Sequence, residues 1–316
     1  MKMKPHSCHR NSLLVALLVL TSVAGCSRSA PAALLPNPPA ARSTEQGLEG
    51  YWIRTSESHR SAVIRVQKSG RGDYSATLLW APLSMTSYGF APGDLKWRNV
   101  VPSGVDDSEF TGQDLLRYQD GNYEYEETSI VLISEDRILE RDNNNKTYYQ
   151  RILPDSSEMS YVDYGLARIA MEREQSSKAM EAFQRIGKRQ TKDADVLNNA
   201  AWILATSRDS QLRSPKLALK LSKQACELTA SKNANFLDTL AAAYAAAGDF
   251  EQAIDTQKLA LEELETLREE GRSVTKTWVG IANDDFLFAP SYVYAENKPE
   301  FRERLQLYTE GKAYLE

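Results

Sequence analysis

The middle of the chain contains three copies of one pattern, of which the third is displaced further by extra residues around 208–215 and one more before Asn235. A pair of apolar or small residues recurs three times between residues 160 and 267. The three copies are Leu166-Ala167, Ala200-Ala201 and Leu240-Ala241. The first two copies are 34 residues apart, counted from Ala167 to Ala201. A period near 34 with small residues at fixed steps indicates stacked helix-turn-helix units, because one such unit cannot bury its own apolar face.

A second series of alanines follows the first and strengthens this interpretation. Its members are Ala179, Ala218 and Ala253. Together the two series resemble the tetratricopeptide repeat (TPR) family, which has a small residue on the first helix and an alanine at the start of the second. The aromatic residue that usually follows is kept only as Phe183. The resemblance implies three repeats, 160–193, 194–233 and 234–267, stacked into an α-helical solenoid whose first helices line a groove for another protein or a peptide.

The repeat register predicts which side chains face that groove. They are Tyr161, Tyr164, Arg168, Asp195, Asn198, Trp202, Asn235 and Asp238. Family members that clamp a carboxylate use several lysines there, and this chain lacks them at those positions. The set therefore favours an extended peptide or a helix with some basic and apolar character. The alternative is that some of these residues pack against the chain's own C-terminal segment.

The first 26 residues have the features of a bacterial lipoprotein leader. A basic start precedes an apolar run, residues 13–23, that is too short to span a bilayer comfortably. Val23-Ala24-Gly25-Cys26 then resembles the lipobox, which implies that Cys26 is lipidated and anchors the chain to the bilayer. Ser27 is compatible, by family analogy, with an outer membrane. The alternative is a secretion signal cut near Ala24 or Gly25.

Residues 27–46 predict a disordered tether, because they are rich in Pro and Ala and poor in apolar bulk. The pattern changes again over residues 47–153, where short alternating segments and turn residues predict an antiparallel barrel or sandwich. Gly50-Tyr51-Trp52 resembles the start of lipocalin-like barrels, which implies that Arg141 or Arg151 stacks on Trp52. Such a domain either carries a small apolar ligand or is filled by a core that contains Trp52.

Residues 268–316 predict an irregular segment followed by a capping helix that begins near Pro299. Phe301, Leu305 and Tyr308 form its apolar stripe, which would cover the last exposed face of the repeats.

Composition and motifs narrow the class of function. A net charge of −5 and a pI near 5.5 argue against a nucleic-acid partner. His59 is the single histidine after the leader, and Cys226 lies in another predicted domain. No metal, cofactor or catalytic group is therefore expected.

Taken together, the sequence predicts a two-domain α+β protein. It is expected to be a lipid-anchored scaffold of the bacterial cell envelope that binds another protein without catalysis. The alternative is a carrier lipoprotein that binds a small apolar ligand in the β domain and uses the repeats for docking.

Overall fold

The structure is a computed structural model that describes residues 47–142, 145–270 and 290–316. The predicted leader, the lipidation site Cys26, the tether and most of the irregular segment after residue 267 lie outside the described residues. Among the helices described, none combines the length and the apolar character that crossing a bilayer requires.

Eight antiparallel strands close into a barrel in the order in which they occur along the chain. They are β1 (Gly50–Arg54), β2 (Val63–Lys68), β3 (Tyr74–Trp80), β4 (Leu95–Pro102), β5 (Glu109–Arg117), β6 (Tyr123–Ser134), β7 (Arg137–Arg141) and β8 (Lys146–Arg151). A short helix, α1 (Leu83–Thr86), follows β3. The fold is therefore α+β, and the β domain is a barrel and not a sandwich.

Burial along β2 and β3 explains why their sequences alternate only in part. Ile64 and Val66 pack inside the barrel, whereas Arg65 between them is half-buried. Leu78 also packs inside, but Leu79 and Trp80 belong to an apolar core that continues into the helices. An uninterrupted apolar run ends β3 because both faces of the strand are covered there.

One end of the barrel is held together by Trp52 and Arg151. The Trp52 indole is fully buried, and its Nε1 donates to the Leu48 carbonyl at 2.9 Å. The Arg151 guanidinium lies 4.0 Å from the ring centre and donates to the carbonyl oxygens of Gly47 and Glu49. Of the two arginines considered from the sequence, Arg151 makes this contact. Gly50 has a φ of 136°, and a Cβ there would lie 2.6 Å from the guanidinium.

Six helices follow the barrel as three consecutive pairs. They are α2 (Met159–Glu172), α3 (Ser176–Lys188), α4 (Ala194–Thr206), α5 (Pro215–Leu228), α6 (Ala234–Ala246) and α7 (Phe250–Glu270). Each helix packs on its pair partner, and α4 also contacts α2 and α6. The six alanines of the two predicted series are all 0% exposed, so each marks a position where helices approach closely.

A last helix, α8 (Pro290–Thr309), packs on α7. The prediction that this helix begins near Pro299 was wrong, because Pro299 lies inside it. An interior proline removes one backbone hydrogen bond and crowds the carbonyl four residues earlier, which is why Pro299 was expected at a helix start, yet α8 continues through it. Phe301 and Tyr308 are buried, as the predicted apolar stripe requires.

The barrel and the helices share one apolar core. Val63, Leu79 and Trp80 of the barrel belong to the same buried cluster as residues of α2 to α7. Gly165 on α2 is a point of close approach, since a Cβ there would lie 2.6 Å from Leu79 Cα and would also meet the Leu79 carbonyl oxygen. The two parts that look separate in sequence therefore meet along α2.

Gly165→Ala is expected to destabilise the protein by about 1–3 kcal/mol, because the backbone of Leu79 must shift to admit the methyl group. Alanine by itself favours a helix by about 1 kcal/mol, so the loss would be a steric effect. Thermal or urea unfolding measures the change.

Gly187→Ala is the matched control, because Gly187 also lies in a helix but its Cβ would meet the far end of the flexible Leu217 side chain. Equal effects of the two substitutions would show that the α2–barrel approach is not tight.

Candidate functional site

The site predicted from sequence lies on the first helix of each pair, α2, α4 and α6. Residues four apart on a helix share a face, so Tyr164 and Arg168 align on α2, and Asn198 and Trp202 align on α4. Asp238 occupies the corresponding place on α6. We call this the first-helix surface. Its eight predicted residues fall into three groups that differ in what covers them.

Tyr161 and Tyr164 form the first group, and they pack against the barrel and do not line an open groove. Their rings lie 5.2 and 5.3 Å from the Trp80 ring, and both side chains are buried. The Tyr161 hydroxyl donates to Asp193 at 2.6 Å. Burial, together with the Asp193 charge, raises the pKa of Tyr161. The repeat register predicted that these two residues face a groove, but it could not indicate that the barrel covers them.

Asp193 gives this end of the surface its geometry. It is the N-cap of α4, and its carboxylate accepts from the backbone N–H of Val196 at 2.9 Å as well as from Tyr161. A capping carboxylate is also stabilised by the positive end of the helix dipole. The same side chain therefore starts α4 and links it to α2.

Asp238 and Trp202 form the second group, at the opposite end. Asp238 is 4% exposed and forms an ion pair with Arg304 of α8 at 2.8 Å. Gln257 of α7 donates to the same carboxylate at 2.6 Å. Burial raises the pKa of Asp238, although Arg304 and Gln257 both favour its charged form. The predicted groove residue Asp238 is therefore covered by α8, the chain's own last helix.

Trp202 is half-buried and contacts the segment that follows α8. Its ring lies 5.3 Å from the Arg304 guanidinium and 5.8 Å from the Tyr314 ring. Its Nε1 donates to a carboxylate oxygen of Glu316 at 2.5 Å. The backbone of Glu316 also pairs with α4, donating to the Thr206 carbonyl at 2.7 Å. The alternative in which groove residues pack against the C-terminal segment therefore holds for both members of this group.

The remaining four residues lie between the two ends and are half-buried. They are Arg168, Asp195, Asn198 and Asn235. Arg168 Nη1 donates to the Tyr164 hydroxyl at 3.2 Å. Asn198 Oδ1 is buried and has no hydrogen-bond partner among the described residues. Leaving an amide oxygen buried without a partner is costly.

Three residues that complete this surface were not identified from the sequence: Arg304, Tyr314 and Glu316. One signal was available for Arg304. An acid at an inward position of the third repeat needs a cation if the helix stripe at Phe301 and Tyr308 is to cover it. No comparable pattern pointed to Tyr314 or Glu316, because contacts made by an extended segment leave no helical period.

The barrel interior holds a second cluster of polar groups among apolar side chains. Lys96 pairs with Asp114 at 2.5 Å, and Glu140 accepts from Trp97 Nε1 at 2.5 Å and from the Tyr149 hydroxyl at 3.0 Å. Burial, with the nearby Glu140 charge, raises the pKa of Asp114 to about 7 against the pull of Lys96. Trp52, Trp97 and Tyr149 are fully buried and fill much of this interior.

Other candidate reactive groups have ordinary structural surroundings. Cys226 is buried on α5, and burial raises the pKa of its thiol to about 11. His59 Nδ1 lies 3.0 Å from Ser84 Oγ. Within the described ranges, no three His, Cys, Asp or Glu side chains are grouped as a metal site would require.

No protein-family model, curated protein or solved structure matches this chain. The function of the first-helix surface therefore has to follow from its own residues.

Arg304→Met is expected to destabilise the protein by about 3–5 kcal/mol, because it leaves the buried Asp238 carboxylate without its charge partner. Methionine keeps most of the apolar stem, so lost packing contributes little. Adding Asp238→Asn should restore much of the loss, since the amide oxygen still accepts from Gln257. Denaturant unfolding provides the free energies.

Lys258→Met is the control, because it breaks an exposed pair with Asp255 at 3.6 Å and should cost less than about 1 kcal/mol. If Arg304→Met costs no more than Lys258→Met, the buried pair does not hold α8 in place.

Proposed function

We propose that this chain is a TPR-type scaffold that binds another protein through the first-helix surface and catalyses no reaction. The observation that carries the proposal is the seating of residues 314–316 on α4. An extended stretch of polypeptide is held there by backbone hydrogen bonds and by the Trp202 side chain. A surface that receives one extended segment has the groups needed to receive another.

The half-buried residues of α2, α4 and α6 support this proposal. Arg168 supplies donors, Asp195 supplies acceptors, and Asn198 supplies an amide with an unused oxygen. A partner's backbone presents both donors and acceptors, so a mixed polar surface suits it better than a surface of one charge.

The rigidity of the helices also favours binding. The alanines at the pair contacts are fully buried, and the same core continues into the barrel. A surface that does not reorganise loses less conformational entropy when a partner docks. We therefore place the interaction on the helices. The carrier alternative ranks lower, because an apolar ligand would have to displace side chains such as Trp52 and Trp97.

Arg168→Glu combined with Asn198→Ala is expected to reduce recovery of the partner by about tenfold or more, which corresponds to 1.4 kcal/mol of binding. The charge reversal removes the guanidinium donors, and the alanine removes the unused acceptor. The measurement is quantitative mass spectrometry of proteins that co-purify from native membranes, compared with the unaltered chain.

Lys216→Glu is the control, since it makes the same change of charge at an exposed position of α5, away from the first-helix surface. Partner recovery that is unchanged by the double substitution, or equally reduced by Lys216→Glu, would contradict the assignment of the surface.

The second part of the proposal concerns the cellular location of the scaffold. The lipobox-like Val23-Ala24-Gly25-Cys26 implies a lipid on Cys26, which would hold the folded part at the cell envelope on its periplasmic or extracellular face. Residues 27–46 would then separate the barrel from the lipid surface.

Cys26→Ser is expected to move the protein from the membrane fraction to the soluble fraction, because a serine cannot form the lipid thioether. Fractionation by ultracentrifugation, with and without detergent, provides the readout. Cys8→Ser is the control, since Cys8 lies in the leader but outside the lipobox. Persistent detergent-dependent sedimentation of the Cys26→Ser protein would exclude this anchor.

A further inference from the structure

The segment after α8 turns back over the helices and does not continue α8 outward. Gly311 has a φ of 69°, and its N–H donates to the Tyr308 carbonyl at 3.0 Å. The N–H of Lys312 donates to the Leu307 carbonyl at 2.9 Å. This pairing around a left-handed glycine ends a helix and reverses the chain. Residues 312–316 are thereby directed across α6 towards α4.

The segment crosses α6 where the residues of that helix are small. Ala313 and Tyr314 pack against the cluster that contains Ala241 and Ala245 of α6. Alanines leave room for a second layer of chain, whereas larger residues would fill that space. The first-helix surface therefore has a shallow path across its third helix.

On α4 the segment makes contacts of two kinds. The Glu316 N–H donates to the Thr206 carbonyl at 2.7 Å, and the N–H of Arg208, two residues after α4, donates to the main-chain oxygen of Glu316 at 3.2 Å. These hydrogen bonds involve only backbone atoms, so they do not depend on which side chain the bound segment carries. The Glu316 carboxylate accepts from Trp202, and the Tyr314 ring packs against both Trp202 and the Arg304 guanidinium, at 5.8 and 5.4 Å. These contacts, in contrast, depend on the identity of the side chains at positions 314 and 316.

The two selected side chains are two residues apart, which is the spacing at which an extended chain presents side chains to one face. Leu315 between them is partly exposed, at 39%. The surface thus contacts an aromatic residue and an acid that are two positions apart. Tyr314 is half-buried, whereas Leu315 and Glu316 are both exposed, so the acid is held through the contact of its carboxylate with Trp202.

We propose that Trp202, Thr206, Arg208 and Arg304 form a binding site for an extended peptide that carries an aromatic residue followed two positions later by an acid. Residues 312–316 occupy the site in cis, and a partner segment of the same chemistry displaces them. This inference rests on the proposed function, because it names the partner chemistry for one end of the first-helix surface.

Because residues 312–316 already occupy the site, a peptide from another molecule must compete with them to bind. A segment on a short linker acts at an effective concentration of about millimolar, so a free peptide at micromolar concentration competes poorly. The apparent affinity of a ligand falls in proportion to the fraction of sites that are open. Removing the two side-chain anchors of the segment should therefore expose the site.

The test uses a fluorescein-labelled peptide with the sequence of residues 310–316, EGKAYLE, and the purified full chain in detergent. Fluorescence anisotropy measures binding to the unaltered chain and to the Tyr314→Ala/Glu316→Ala variant. The variant is expected to bind at least about tenfold more tightly, because its site is open. Lys312→Ala/Leu315→Ala is the matched control and should behave like the unaltered chain, since both residues are partly or largely exposed.

Two further arms assign the site and its preference. Adding Trp202→Ala to the open variant should abolish binding, and a probe with lysine in place of the final glutamate should bind at least about tenfold more weakly. Circular dichroism and thermal melting establish that each variant is folded. Glu316→Ala alone serves as a milder open variant if the double substitution unfolds the protein.

The inference would be overturned if the folded open variant did not bind the probe, or if the open variant and the unaltered chain bound it equally well. Neither result bears on the loss of partner caused by Arg168→Glu/Asn198→Ala, because the probe involves no cellular protein. Failure of this site and failure of the proposed function are therefore distinguishable.

Discussion

The buried ion pair between Asp238 and Arg304 determines what remains open on the helices. Both side chains are about 95% buried, at 4% and 5% exposure, so each loses nearly all its hydration. Attraction at 2.8 Å and the extra donor from Gln257 offset that cost only while the geometry is kept. The pair therefore fixes α8 in one position on α6 and places the Arg304 guanidinium beside Trp202 and Tyr314.

The two ends of the first-helix surface are covered by different means. At α2 the barrel supplies Trp80, against which Tyr161 and Tyr164 pack. At α6 the cover is α8 and the segment after it. Each cover buries apolar surface that a stack of helices would otherwise leave in water. The stretch between the two covers carries Arg168 and Asn198, which are half-buried.

The sequence predicted local structure well because local patterns determine it. Alternation placed the strands, the buried alanines marked the helix contacts, and Gly50-Tyr51-Trp52 led to the contact of Trp52 with Arg151. The covers could not be predicted in the same way. Asp238 and Arg304 are 66 residues apart, and no period links them. The register predicted that Tyr164 faces inward, but the identity of its neighbour depends on how the barrel docks.

Under the proposed function, the covered ends also restrict which partners can bind. A partner segment that competes only at Trp202 must displace residues held nearby at about millimolar effective concentration. A partner that also contacts Arg168 and Asn198 would gain binding energy that the internal segment does not have, because residues 312–316 are held at the α6 end of the surface, on α4 at Trp202 and Thr206, and at Arg208, which follows α4. Discrimination between the partner and the internal segment would then arise on α2 and at the N-terminal part of α4. The acid-and-aromatic end would provide affinity common to both, and the half-buried polar residues would provide the difference that allows exchange.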